Sequence, residues 1–150
     1  MVDKPTWRKT WPSLKTDIAE LLRVAAAHPD LVAKAAGVVS VVLADDETLR
    51  RLNREFRGKD RPTNVLSFAD PSEPLGGIVV AYETVARETL AQDKKFVNHC
   101  KHMILHGFLH LLGYDHGAKK ATRLMEEIEI AILRDVGIPN PYVIETKSSA

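Results

Sequence analysis

The sequence predicts an α/β fold of α+β-like segregation, in which helices cover a small sheet. Three observations predict it. Val38–Ala44 is a short run of apolar and β-branched residues with almost no polar alternation, the pattern of a strand covered on both faces. Two further strand signals, Asn64–Phe68 and Ile78–Ala81, follow it. From Thr84 onward the apolar residues recur at helical spacing instead. Short strands first and helices after them place the helices over one sheet.

Residues 1–12 hold Trp7, Trp11, Pro5, Pro12 and scattered charge, and read as a loose arm part of which the two Trp pack down. Ser13 is placed to cap a helix over Leu14–Ala27, with Ile18, Leu21, Leu22 and Ala25 near helical spacing. His28-Pro29 disfavours its continuation. Leu31–Ala36 is Ala-rich and ambiguous, and Gly37 ends it. Val38–Ala44 is expected to be the central strand. Asp45 and Asp46 can cap the next helix, Glu47–Phe56, which ends at Gly58. Asp70–Leu75 reads as a loop with two Pro before the third strand. Helices are expected over Thr84–Ala91, Val97–Leu112 and Lys119–Val136, the last with Leu124, Ile128, Ile132 and Leu133 as its apolar stripe and Gly137 as its stop. The chain of 150 residues is expected to form one domain, 1–150, with residues 142–150 as a tail.

Composition narrows the function. Hydrophobic residues make up 45% and charged residues 27%, as in an ordinary globule. The single Cys100 excludes an internal disulfide and an all-cysteine zinc site. Lys and Arg total 21 against 20 Asp and Glu, a net +1, so a polyanion would have to be held by a local patch. No stretch reads as a signal peptide, and Val38–Ala44 and Met103–Leu112 fall far below the roughly 18 apolar residues of a membrane span. The expectation is a cytoplasmic protein with no membrane partner.

The chemistry concentrates in HGFLHLLGYDH, His106–His116. His106 and His110 are four apart on an expected helix, so they share one face and can converge on one ion. Gly113 allows the helix to break and the chain to swing back, bringing His116 as a third nitrogen. Zn²⁺ takes imidazole at about 2.0–2.1 Å and, in catalytic sites, keeps a fourth position for water, whose pKa its charge depresses. A lone histidine in an apolar helix is more often a hydrogen-bonded core residue, but three at this spacing with a glycine between them read as a site. A ligating imidazole needs an acceptor for its other nitrogen, and Asp115 is one candidate. His99 and His102, on earlier turns, read as groove-lining residues or supports for the ligands, and Cys100 as a buried thiol.

The same histidine spacing occurs in the metzincin signature H-E-x-x-H-x-x-G-x-x-H, whose Glu is the general base for peptide hydrolysis. Here that position is Gly107. A peptidase would need its base elsewhere, which favours phosphodiester over peptide cleavage. Between Arg50 and Arg61, six cations (Arg50, Arg51, Arg54, Arg57, Lys59, Arg61) face two acids (Glu55, Asp60), a net +4 suited to phosphate. Arg50, Arg51 and Arg54 also fit a solvated helix face, with Asp46–Arg50 and Glu47–Arg51 as i,i+4 pairs. Arg57, beside Gly58, is the better candidate for a phosphate clamp through its fixed donor fork. Asn64 and Ser67 either satisfy the sheet or position a substrate.

The segments LNREFRGKDRPTNVLSF (Leu52–Phe68), LGGIVVA (Leu75–Ala81) and HGFLHLLGYDH resemble the YbeY family of bacterial rRNA-maturation endoribonucleases, over about residues 38–138. The resemblance implies a mainly four-stranded mixed sheet with a zincin-like metal cleft at one side. It implies one zinc per chain on His106, His110 and His116, and a phosphate contact from Arg57. It further implies single-strand-specific cleavage of rRNA in 16S 3′-end maturation and ribosome quality control, with the small ribosomal subunit as partner. Gly77 departs from the family, which usually has Asp there. His102 and Asp115 are the candidates for general base by their nearness in sequence. Two other readings compete: a metallopeptidase with a base outside the helix, and a non-catalytic rRNA-binding assembly factor whose zinc is structural.

Overall fold

A computed structural model describes residues 5–33, 39–57, 63–70, 73–114 and 117–142. Its sheet is built around a strand in which a glycine pair, Gly76-Gly77, leads into the apolar run Ile78–Ala81. The strands are β1 (Val39–Ala44), β2 (Val65–Asp70) and β3 (Glu73–Ala81). β1 runs parallel to β3, with Val39 opposite Gly76 and Ala44 opposite Ala81. β2 runs antiparallel to β3 on its other side, with Val65 opposite Val80 and Phe68 opposite Gly77. Among the described residues the sheet therefore has three strands in the order β1-β3-β2, against the mainly four expected.

Among the described residues the middle place belongs to β3, not to β1, which covers the expected strand from Val39 on. Ile78 to Ala81 are buried, whereas Val39 to Val42 are only half-buried. An apolar run says nothing of a strand's in-plane neighbours, and at β1 the faces themselves are only half covered over Val39–Val42. β3 also begins earlier than its apolar core, because residues from Glu73 take up ladder bonds despite Pro74.

The helices are α1 (Pro5–Thr10), α2 (Leu14–Ala27), α3 (Asp46–Arg57), α4 (Tyr82–Gln92), α5 (Phe96–Leu111) and α6 (Lys119–Asp135). They match the expected spans to within two residues at each end, and α1 is additional. Asp45 caps α3 by accepting the Thr48 N–H at 2.8 Å. Ser13 does not cap α2 with its side chain; its hydroxyl donates to Asp17 Oδ2 at 2.7 Å. The described part of the N-terminal arm is anchored rather than loose. Trp7 and Trp11 are buried, Trp7 Nε1 donates to the Ala44 carbonyl at 2.9 Å, and Trp11 Nε1 donates to Asp17 Oδ2 at 2.8 Å. Trp7 also meets Tyr82 edge-on, with ring centroids 5.1 Å apart. Two large indoles with satisfied N–H groups outweigh the ordering cost of a short segment.

α5 lies across β2 and β3, with α2 and α6 packed beside it. The close approach to the sheet is made at Gly107. A Cβ there would fall 2.7 Å from Ser67 Oγ, 3.0 Å from Ile78 Cγ2 and 3.4 Å from Val65 Cγ2. α6 buries Met125, Ile128, Ile132 and Leu133, while Leu124, expected on this stripe, is 48% exposed. The buried face is rotated by one position, and the residue it takes in besides Met125 is Glu129. No helix among the described residues is long and apolar enough to cross a membrane.

Candidate metal centre

His99, His102, His106 and His110 succeed one another at intervals of three, four and four residues along α5, so all four lie on one face of the helix. Neighbouring ring centroids are 6.3, 6.4 and 4.5 Å apart, closing up toward the C-terminal end. There, His106 Nε2 and His110 Nε2 stand 3.0 Å from each other.

The other nitrogen of each ring explains why this contact matters. His106 Nδ1 lies 2.7 Å from Glu129 Oε2, and His110 Nδ1 lies 2.9 Å from the Tyr114 carbonyl oxygen. A carboxylate and a carbonyl only accept, so each Nδ1 carries the proton and donates. Each Nε2 is then left with a lone pair, and the two lone pairs face one another. Such a pair requires a proton or a cation between or beside them. Two nitrogens on one tetrahedral zinc, each at about 2.0–2.1 Å, would be about 3.3 Å apart, so the donor set and spacing fit this ion.

Gly113 supplies the geometry on the His110 side. Its φ of 100° is open to glycine at little cost, and it ends α5 with the Gly113 N–H bonded to the His110 carbonyl and the Tyr114 N–H to the Leu109 carbonyl. This turn is what brings the Tyr114 carbonyl back to His110. His116 and Asp115 lie outside the described residues. Among the described residues no group of three His, Cys, Asp or Glu side chains surrounds one point.

Glu129 is the residue sequence reasoning missed. Its side chain is fully buried, and it accepts from His106 Nδ1, from His102 Nε2 at 3.1 Å and from the Tyr142 hydroxyl. Burial is the largest single influence and by itself raises its pKa. The hydrogen bonds from His102 and His106, the charge interaction with His102 and the hydrogen bond from Tyr142 together outweigh it and hold the carboxyl at about 2. A signal existed: a carboxylate among the residues that share a helix face with Met125, Ile128 and Ile132 has to be paired.

His102 is buried, and its Nε2 stands 3.1 Å from both Glu129 Oε1 and the Tyr142 hydroxyl. Asn64 donates through Nδ2 to Glu88 at 3.0 Å, and Glu88 in turn bonds His99 Nε2 at 2.8 Å. Ser67 donates to the Gly107 carbonyl at 2.9 Å. Arg57 is the last residue of α3. Arg50, Arg51 and Arg54 are exposed on the same helix, while Asp46 receives Arg87 at 2.7 Å and Thr84. Gly77 is buried, and a Cβ there would make only ordinary contacts, at 3.6 Å from Phe68 and 3.9 Å from the Ser40 carbonyl. Packing thus does not demand glycine at that position.

Fold and site together define an α/β protein whose central helix presents a carboxylate-backed histidine pair at its C-terminal end. The family model described as Endoribonuclease YbeY matches residues 3–137, and the chain belongs to this family. Among curated relatives, Endoribonuclease YbeY of Magnetococcus marinus is 47% identical over 70% of this chain and 82% of its own length. The namesake of Paramagnetospirillum magneticum is 42% identical over 92% of this chain and 90% of its own, and that of Rhodopseudomonas palustris 43% over 93% and 79%. The solution structure of TM1509 from Thermotoga maritima aligns with a TM-score of 0.56, covering 90% of this chain and 89% of that one at 24% identity. That likeness concerns the fold alone.

Proposed function

We propose that the chain is a zinc-dependent, single-strand-specific endoribonuclease that acts on rRNA in 16S 3′-end maturation and ribosome quality control in the cytoplasm, at the small ribosomal subunit. The observation that carries this reading is the 3.0 Å approach of two imidazole nitrogens whose ring partners are both held by acceptors. Family membership supports the reaction class, since the family and the relatives are described as endoribonucleases.

In this reading His106, His110 and His116 hold the ion. When bound, zinc supplies Lewis acidity at a phosphoryl oxygen and lowers the pKa of water. Glu129 orients His106, and the Tyr114 carbonyl orients His110. Arg57 binds a substrate phosphate and offsets the charge that develops on it. Ser67 donates to the Gly107 carbonyl and Asn64 to Glu88, contacts that tie β2 to α5 and the start of β2 to α4 and fix where either side chain would stand beside a substrate.

Gly107 argues for phosphodiester over peptide chemistry on steric grounds. The position that carries the general base of a metzincin here faces Ser67, Ile78 and Val65 at contact distance and has no room for a carboxylate. The test pairs two substrates. Unstructured RNA should be cut and casein left intact, and chelation should abolish the RNA cleavage. Arg57→Ala should keep fold and zinc while losing at least about a hundredfold in rate. Peptide cleavage without RNA cleavage would refute the assignment, and full cleavage by Arg57→Ala would return that residue to a solvated surface.

A further inference from the structure

The chain beyond α6 reaches back to the metal centre. Gly137, at φ 82°, ends the helix, Ile138 is buried, and Pro139-Asn140-Pro141 turns the backbone. Asn140 Oδ1 accepts the Tyr142 N–H at 2.9 Å, an Asx-type turn that fixes where the tyrosine starts. The ring of Tyr142 then stands edge-on to His102, perpendicular to it at 5.3 Å, and its hydroxyl donates to Glu129 Oε1.

We propose that Tyr142 is a positioning residue of the metal centre, acting through Glu129 on His106. The inference rests on the reading of His106 and His110 as zinc ligands. Glu129 has two oxygens with separate tasks. Oε2 takes the His106 Nδ1–H, and Oε1 takes His102 and Tyr142. With Oε1 held from two directions, the carboxylate cannot pivot about its terminal torsion, which is otherwise broad. Oε2 is thereby kept on His106 Nδ1, and the ring is kept with Nε2 turned to His110. The partners behind metal-ligating histidines commonly set tautomer, ring orientation and ligand basicity. Tyr142 adds one more link, carried by a segment that lies outside the helices and the sheet.

A tyrosine that only braced the fold would leave the metal indifferent to its hydroxyl. Tyr142→Phe keeps the ring on His102 and removes the one oxygen, so it separates the two roles. Zinc affinity is read by chelator competition on the full chain, alongside the melting temperature of the metal-free protein and the d–d spectrum after cobalt substitution. The expected result is a zinc affinity about tenfold weaker, altered cobalt bands and a metal-free melting temperature close to the parent's. Unchanged affinity and cobalt bands in Tyr142→Phe, with the parent binding zinc normally, would overturn this inference and leave the zinc reading standing. Failure of the parent itself to bind zinc would overturn both. Should Tyr142→Phe prove unstable, Asn140→Ala loosens the same segment from outside the network and is expected to weaken zinc in the same direction; unchanged zinc affinity there would count against the proposal.

Discussion

His99 and His106 occupy the same face of α5, two turns apart, and each meets a carboxylate through one ring nitrogen. His99 Nε2 pairs with Glu88 at 2.8 Å, and His106 Nδ1 pairs with Glu129 at 2.7 Å. The two ends differ in what the second nitrogen finds. At His106 it finds the nitrogen of His110 at 3.0 Å. At His99 the Nδ1 atom is buried with no hydrogen-bond partner among the described residues. They differ as well in the carboxylate, since Glu88 is 30% exposed and shared with Asn64, whereas Glu129 is fully buried and shared with His102 and Tyr142. A histidine–carboxylate pair is thus not by itself a metal site. Convergence of two lone pairs, each fixed by an acceptor behind it, is what sets the C-terminal end apart.

The largest effect is expected where the helix that carries both ends is pinned to the sheet. Gly107→Glu would restore the metzincin pattern in sequence, yet its side chain would have to enter the space of Ser67 and Ile78. The variant is expected to show no cooperative thermal transition, and Gly107→Ala to lose about 1–3 kcal/mol in denaturant unfolding. A folded, peptide-cleaving Gly107→Glu protein would contradict the steric account.

The two carboxylates should separate next. Glu129→Gln is expected to weaken zinc binding about 10–100-fold, while Glu88→Gln should leave zinc affinity unchanged and cost about 1 kcal/mol of stability. Equal effects on zinc from both substitutions would erase the distinction drawn between the two ends.

A smaller effect belongs to pH at the His99 end. Burial pulls the His99 pKa below 6.5, outweighing the opposing pull of Glu88, with Lys94 and His102 adding to the lowering. The folded state therefore binds fewer protons than the unfolded chain below pH 6.5. The stabilisation is complete above that pH and is lost as pH falls through the folded value. His99→Gln should flatten the fall in melting temperature between pH 7 and pH 5. An unchanged slope would show that other groups set it.

Much of this was legible in the sequence, for reasons that differ by element. The spans of α2, α5 and α6 were legible because Pro29, Gly113 and Gly137 punctuate apolar stripes. The pairing of His106 with His110 was legible because an interval of four on a helix admits one geometry. The place of β1 in the sheet was not, since β3 takes the middle through hydrogen bonds that side-chain patterns do not encode. The anchoring of residues 5–12 was half visible in Trp7 and Trp11, but their partners Ala44, Asp17 and Tyr82 are distant in the chain or in no recognisable pattern. Glu129 and Tyr142 escaped because the contact that reveals them spans 23 and 40 residues to α5. Asp115, a candidate acceptor by its nearness, lies outside the described residues, and the acceptor behind His106 comes from a different helix.

The central claim is most directly tested by counting metal. Parent protein purified without chelator should hold close to one zinc per chain, and His110→Ala should hold almost none while keeping its helical circular dichroism. Full zinc retention by His110→Ala, or a parent protein that takes up none from a zinc buffer, would contradict the assignment of the facing imidazoles as a metal centre.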